Sequence, residues 1–246
     1  MLVVVPVSSH DSELIEDFCD ILNFFSPYKN HDLLVVSRPS DISHSQRAFE
    51  SIKGVFRSAK LYTFTENGPL GWPQGPNFYW HQTITYLRDS GNLLPWFWME
   101  MDITPIEEGW LEAFETEYSE AGKKCLGVIQ PNVGATTSHL VGIAVYPPDI
   151  SSICDSWVHV YGSDVAFDVA CQHELVPESA NSKLLQHNFR TRDYRCTNLG
   201  FRGIDVEIRQ NGVRFDKLVQ SETMLVHGCT DGSLARLILN KDTPRI

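Results

Sequence analysis

Short apolar runs alternate with segments of helical spacing along the first half of the chain. Apolar runs cover residues 2–7 and 33–36, each with the length of one buried strand, and residues 60–65 predict a third strand. Between these two runs, from about residue 11 to 25, apolar side chains recur at positions 14, 15, 18, 21, 22 and 25, which is the spacing of an amphipathic helix. Residues 45–57 predict a second helix. Strands that alternate with helices predict an α/β protein with a Rossmann-like, mostly parallel sheet flanked by helices.

The alternation continues to about residue 150 and then weakens. The further elements are expected as a loop at 67–77, a helix at 77–90, a strand at 95–101, a helix at 104–120, strands at 125–130 and 140–146, and a loop at 134–137. Two short apolar runs, at 182–187 and 234–239, stand out beyond that point. No linker or repeat divides the chain, and 246 residues can bury one large core. We therefore expect a single domain over residues 1–246.

The stretch WFWMEMD at residues 96–102 carries the strongest chemical signal. Its uncharged beginning predicts a buried strand, and two carboxylates, Glu100 and Asp102, follow where that strand should end. Residues i and i+2 of an extended chain point to the same side, so the two carboxylates can converge on one point. Paired carboxylates at the end of a buried strand suit Mg²⁺ or Mn²⁺ that also holds substrate phosphates.

Two further places have the character of a ligand site, because open α/β sheets bind ligands beyond the carboxyl ends of their strands. Pro6, Val7 and Ser8 end the first strand and could form the floor for a base or ribose. The turn from Gly75 to Asn77 is expected to present a helix N-terminus, with Asn77 as its cap and free N–H groups for a phosphate.

The formal net charge of −11 argues against general nucleic-acid binding, but the charge is unevenly distributed. Residues 183–217 contain eight basic and four acidic side chains, a local excess of +4 that leaves −15 for the rest of the chain. Two interpretations remain open for this segment: a solvated basic face, or a binding surface for a polyanion such as a nucleotide diphosphate or a nucleic acid. Arg190, Arg192 and Arg195 are the candidates for phosphate contacts.

Cysteine usage and hydropathy predict a cytoplasmic protein without a membrane partner. The six cysteines are scattered and form no C-x-x-C pair, which favours a reducing compartment over a disulfide framework. No apolar stretch approaches the length of a membrane span. The apolar start of the chain lacks the basic residues of a signal peptide and is interrupted by Pro6.

The order of these features resembles that of the GT-A glycosyltransferases, which use nucleotide-sugar donors. The resemblance implies a GT-A fold in which residues 1–130 form the nucleotide-sugar-binding half and residues 131–246 the acceptor-binding half. Glu100-x-Asp102 takes the place of the family's D-x-D motif and implies a Mn²⁺ or Mg²⁺ ion on the donor diphosphate. The late His227, followed by Gly228 in a Gly-bracketed turn, matches the family's metal-binding histidine and a loop that closes over the diphosphate.

A second resemblance concerns the acceptor. The compact size and the ending HGxxDGS at residues 227–233 are similar to small phage-encoded glycosyltransferases that modify hydroxymethylated bases in DNA. This resemblance implies DNA carrying hydroxymethylated bases as a partner, and a phage-encoded protein that acts in the host cytoplasm.

Transfer with inversion requires a base for the acceptor hydroxyl, and Asp168 is the candidate, with Glu174 as a second. Apolar neighbours would raise the pKa of Asp168. The alternative is a helix-capping aspartate, and a retaining enzyme would need no such base.

Two alternative functions fit the sequence less well. A nucleotidyltransferase would normally carry glycines and a basic residue directly after strand one, and the stretch 7–11 has neither. A non-catalytic nucleic-acid-binding module is disfavoured by the acidic remainder of the chain.

Overall fold

The computed structural model describes residues 1–131, 138–191, 206–210, 213–217 and 219–239. Its strands are β1 (Leu2–Pro6), β2 (Tyr28–Ser37), β3 (Phe56–Thr63), β4 (Trp96–Trp98), β5 (Ile103–Pro105), β6 (Cys125–Gln130), β7 (His139–Tyr146), β8 (Ser179–Asn181), β9 (Leu185–Thr191), β10 (Val206–Gln210), β11 (Val213–Lys217) and β12 (Leu225–Cys229). Its α-helices are α1 (Ile15–Phe24), α2 (Ile42–Ile52), α3 (Gln74–Asp89), α4 (Trp110–Glu120), α5 (Phe167–Ala170), α6 (Gln172–Leu175) and α7 (Ser233–Ile238).

The central sheet has seven strands in the order β3-β2-β1-β4-β7-β6-β8. Strands β3, β2, β1 and β4 are mutually parallel, β7 runs antiparallel to both β4 and β6, and β8 is parallel to β6. The prediction of a mostly parallel sheet flanked by helices is therefore confirmed.

Both faces of this sheet are covered at its centre, which explains why β1 and β4 are continuously apolar. Val3, Val5 and Phe97 belong to the core that packs against α1 and α4, while Val4 and Trp98 belong to the core beneath α3. Successive residues of one strand thus enter opposite cores, as the period of an extended chain requires.

A second sheet has the order β5-β12-β9, and four residues separate its first strand, β5, from the end of β4. Strand β12 is antiparallel to β5 and parallel to β9. This small sheet brings three distant segments of the chain together next to the carboxyl end of β4. A separate hairpin joins β10 to β11.

Several predicted boundaries are wrong. Residues 103–105 form a strand and α4 begins only at Trp110, so the helix predicted from 104 starts too early. The helix predicted over 45–57 is Ile42–Ile52, and Phe56 already opens β3. The strand predicted over 95–101 is limited to Trp96–Trp98, and the first helix begins at Ile15. The loop predicted at 134–137 lies outside the described residues. Within the described part of the chain, no helix has both the length and the apolar character to cross a bilayer.

Candidate active site

Three side chains converge at the carboxyl end of β4. One ligand atom from each of Glu100, Asp102 and His227 lies within 4.8 Å of the others. The chain does not reach this arrangement as an extended strand: it turns after β4, and the N–H of Ile103 donates to the carbonyl oxygen of Glu100 at 3.2 Å. The convergence expected of the i, i+2 pair therefore exists, but a tight turn produces it.

The pairing of β5 with β12 fixes the position of Asp102 relative to His227. Ile103 is in register with His227, and the N–H groups of Gly228 and Cys229 both lie 3.2 Å from the carbonyl oxygen of Asp102. Gly228 has a φ of 95°, a conformation that a side chain would strain. The glycine thus lets the backbone close around Asp102 directly after His227.

Glu100 is oriented by Trp98, the last residue of β4. The indole Nε1 of the buried Trp98 donates to Glu100 Oε1 at 3.1 Å. The other carboxylate oxygen, Oε2, lies 4.0 Å from Nε2 of His227, and Oδ1 of Asp102 lies 3.4 Å from the same nitrogen. The imidazole Nε2 therefore faces both carboxylates.

The charges of the three groups are strongly coupled. Loss of hydration and the negative charge of Asp102 raise the pKa of Glu100 to about 7. Burial opposes ionisation of Asp102, but the adjacent His227 outweighs it and holds the pKa of Asp102 below its usual value. Burial also disfavours the charged imidazole, yet the carboxylates, Asp102 foremost, raise the pKa of His227. The cluster concentrates negative charge that an added cation would neutralise.

A fourth carboxylate, Asp11, lies near this cluster and was not identified as a site residue from the sequence. Its Oδ2 accepts a hydrogen bond from Ser8 Oγ at 2.6 Å. Burial raises the pKa of Asp11, and the charge of Asp102 raises it further. The only available sequence signal was its place shortly after β1, which also favoured a helix start.

The donor set suits a divalent metal ion. Asp102 Oδ1 is buried and has no hydrogen-bond partner of acceptable geometry among the described residues. An unsatisfied buried oxygen is costly, and a cation bound between the three side chains would satisfy it. The two carboxylates suit Mn²⁺ and Mg²⁺, and the imidazole nitrogen adds a ligand that first-row transition metals accept.

The surface predicted at the end of β1 for a base or ribose is only partly accessible. Val7 is fully buried: its N–H donates to Val36, and its carbonyl oxygen lies 2.7 Å from the Tyr79 hydroxyl. Val7 therefore has no surface to offer a ligand, whereas Pro6 and Ser8 keep partial exposure.

A polar network that the sequence did not reveal lies beyond the ends of β1 and β2. Arg38 Nε donates to Asp41 Oδ2 at 3.0 Å, and the guanidinium lies 5.0 Å from the centre of the Tyr79 ring. The Tyr79 hydroxyl is 2.9 Å from the same Asp41 oxygen. A charged residue directly after the apolar β2 was the one signal that could have indicated it.

The prediction that the turn from Gly75 to Asn77 presents a helix N-terminus with free N–H groups is wrong. Helix α3 begins at Gln74, so Asn77 is inside the helix and does not cap it. The N–H of Gly75 donates to Gly71 and that of Asn77 to Pro73, so neither is free for a phosphate. The Asn77 side chain is fully buried.

Asn77 instead holds the segment that leads into α5. Its Nδ2 donates to the carbonyl oxygens of Val165 at 2.9 Å and Ser163 at 3.3 Å, and its Oδ1 accepts from the N–H of Phe167 at 2.7 Å. Asp168 follows directly. The amide therefore holds in place the backbone that leads to the candidate base.

Asp168 lies near the cluster of Glu100, Asp102 and His227, and Glu174 contacts a different segment. Asp168 Oδ2 is 3.9 Å from Nε2 of His139, burial raises the pKa of Asp168, and its charge contributes to the raised pKa of His227. Glu174 accepts hydrogen bonds from the N–H groups of Asp155 and Ser156, so its carboxylate stabilises a local turn.

A cavity of about 470 Å³ opens between the loop after Asp11 and the turn after β12. It is lined by Glu13, Leu14, Thr230, Asp231 and Arg236. The side chain of Arg190 and residues Arg192 and Arg195 lie outside the described part of the chain.

No protein-family model matches this chain, and no curated protein matches it in sequence. Solved structures do resemble it. An active-site variant of LgtC has a TM-score of 0.57 and 10% identity over 100% of this chain and 98% of that chain. The galactosyltransferase LgtC in complex with donor and acceptor sugar analogs has a TM-score of 0.53, with 10% identity and the same coverage. Mouse xyloside xylosyltransferase 1 has a TM-score of 0.50 and 8% identity over 76% of this chain and 87% of that chain. The chain has the GT-A fold, and this prediction is confirmed.

Proposed function

We propose that this protein is a metal-dependent glycosyltransferase that moves a sugar from a nucleotide-diphosphate sugar to an acceptor hydroxyl. The observation that carries the proposal is the convergence of Glu100, Asp102 and His227 within 4.8 Å at the carboxyl end of a central strand. That strand belongs to a GT-A fold, and ligands of open α/β sheets bind at such strand ends. The structural neighbour LgtC binds donor and acceptor sugar analogs.

In this proposal, residues 1–130 form the donor half and residues 131–246 the acceptor half. Glu100, Asp102 and His227 would hold Mn²⁺ or Mg²⁺, which, when bound, neutralises the charge that builds on the leaving diphosphate. Trp98 keeps one oxygen of Glu100 fixed, and the conformation of Gly228 keeps Asp102 beside the imidazole.

The nucleoside would lie beyond the ends of β1 and β2. The partly exposed Pro6 and Ser8 form one wall, and the Arg38–Asp41–Tyr79 network fixes the other. The 470 Å³ cavity next to the turn after β12 provides room for further parts of the donor.

Asp168 is proposed as the base for an inverting transfer, in which its carboxylate accepts the proton of the acceptor hydroxyl. Its pKa is raised by burial, and a base works best when its pKa lies close to the working pH. Its position beside His139 and near His227 supports this role.

For the acceptor we propose DNA that carries hydroxymethylated bases, in a phage-encoded enzyme acting in the host cytoplasm. The support is the charge distribution: a +4 segment in a chain that is otherwise at −15. Such a segment would contact phosphates while the remaining surface repels the duplex. A base hydroxyl would also have to leave the stack or be approached through a groove.

A donor screen tests the proposal. Nucleoside diphosphate release is measured for a panel of nucleotide sugars with Mn²⁺ or with EDTA, in the presence of hydroxymethylated or unmodified DNA. We expect release that needs metal and is lost in Asp102→Asn, because an amide binds a hard cation far more weakly than a carboxylate. His81→Phe is a matched control, since His81 packs between Trp157 and Tyr161. Equal release in EDTA or in Asp102→Asn would contradict the metal role, and no transfer to modified DNA would contradict the acceptor.

A further inference from the structure

A second histidine, His187, lies behind the imidazole of His227. The two residues are in register in the parallel pair β9–β12, their Nδ1 atoms are 2.8 Å apart, and their ring centres are 4.7 Å apart. On the opposite side of the His227 ring, Nε2 faces Asp102 Oδ1 at 3.4 Å. His187 therefore contacts the ring nitrogen of His227 that points away from the carboxylates.

The neighbouring residue shows that this orientation is set by the strand. Gln186 points to the other face of β9, where its Oε1 accepts hydrogen bonds from the N–H of Gln220 and the hydroxyl of Thr223. Because side chains alternate along a strand, anchoring Gln186 on one face directs His187 to the other. The pairing of the two histidines follows from the register of β9 with β12.

The short Nδ1–Nδ1 contact has a chemical consequence. Two N–H groups cannot face each other at 2.8 Å, nor can two lone pairs, so a single hydrogen lies between the rings. If His187 donates it, a neutral His227 carries its own proton on Nε2, where it points at the carboxylates and excludes a cation. If His187 accepts it, His227 carries the proton on Nδ1 and its Nε2 lone pair is free.

We propose that His187 is a positioning residue that accepts a hydrogen bond from Nδ1 of His227 and so holds Nε2 ready to bind the metal ion. This inference rests on the proposed function, because it assigns His187 a role toward the same metal site. In the bound state the two neutral rings share two protons: one on Nδ1 of His227, between the rings, and one on Nε2 of His187. Hydrogen-bond partners behind a metal-binding histidine fix its tautomer and ring orientation in this way.

Mn²⁺ titration of the metal-free protein, followed by the EPR signal of the free ion, tests the inference without any enzymatic assay. His187→Phe keeps a ring but removes the acceptor, and we expect its Kd for Mn²⁺ to rise by about tenfold to a hundredfold. His187→Asn places an amide oxygen near the position of Nδ1, and we expect it to regain most of the lost affinity. His81→Phe, a histidine-to-phenylalanine change at a half-buried position on α3, should bind as the wild type does.

The outcomes separate the inference from the proposed function. Asp102→Asn and His227→Ala should lose Mn²⁺ binding; wild-type affinity in both would overturn the metal site, and the role of His187 with it. If those two variants lose Mn²⁺ but His187→Phe binds as tightly as the wild type, only the role of His187 is wrong. Equal weakening in His187→Phe and His187→Asn would also overturn it, because the loss would then not depend on the hydrogen-bond acceptor. Melting curves of the metal-free variants show that each one is folded.

Discussion

Replacement of Asn77 by alanine should destabilise the protein far more than its place in an ordinary helix would suggest. The side chain is fully buried and makes three hydrogen bonds to the segment 163–167. A hydrogen bond contributes about 1 kcal/mol net, and a buried group left without a partner costs about 1–3 kcal/mol. The N–H of Phe167 would be buried without a partner, while the carbonyl groups of Ser163 and Val165, which also lose a hydrogen bond, are only partly buried. We therefore expect a loss of about 2–4 kcal/mol in the free energy of unfolding.

Urea denaturation measures this loss directly, and a drop in Tm of roughly 4–16 °C should accompany it for a domain of this size. Asn77→Asp should not rescue stability: it keeps an acceptor for Phe167 but sets a carboxylate against two carbonyl oxygens. The control is Asn23→Ala, which removes one exposed hydrogen bond to Ser51 and should change stability by less than about 0.5 kcal/mol. A loss below about 1 kcal/mol in Asn77→Ala, together with weaker donor binding, would refute this reasoning and restore a role for Asn77 at the donor.

Three further predictions concern the site. Trp98→Phe removes the hydrogen bond that orients Glu100. Since one hydrogen bond contributes about 1 kcal/mol, the Kd for Mn²⁺ in EPR titration should rise about fivefold; unchanged affinity would contradict this role of Trp98. The pKa of Glu100 is raised to about 7 and that of His227 is also raised, so protons compete with the metal ion for these side chains at lower pH. The Mn²⁺ affinity measured by calorimetry should therefore fall from pH 8 to pH 6, and an affinity that does not change with pH would contradict this prediction. Asp168→Asn should lower kcat about a hundredfold or more with little change in donor KM, and normal turnover would remove Asp168 as the base.

The sequence predicted the central sheet well because its signal is local. Strands that are buried on both faces are continuously apolar, and β1, β6 and β7 lie close to their expected bounds. The helix predicted from 104 failed for the opposite reason. Thr104 and Pro105 form β5 because they pair with Val226 and Leu225, more than a hundred residues away, and no local pattern reports such a partner.

Residues of the candidate site could be predicted only where the residue type and its local sequence already indicate the chemistry. Two carboxylates after an apolar run indicated Glu100 and Asp102, and a histidine in a Gly-bracketed turn indicated His227. The contact of His187 depends on the β9–β12 register, and Asn77 looked like a helix cap because asparagine is common at that position. Both roles come from tertiary contacts that periodicity does not encode.

The central claim is that Glu100, Asp102 and His227 hold a divalent ion that also contacts the donor diphosphate. Pulsed EPR of the protein with Mn²⁺ and a nucleoside diphosphate tests it in one measurement, because a coordinated nitrogen and the phosphorus of an oxygen-coordinated phosphate each leave a hyperfine signature. We predict a ¹⁴N coupling from an imidazole together with a ³¹P coupling, and loss of the ¹⁴N coupling in His227→Ala. A ³¹P coupling without ¹⁴N in the wild type, or a ¹⁴N coupling that persists in His227→Ala, would contradict the account.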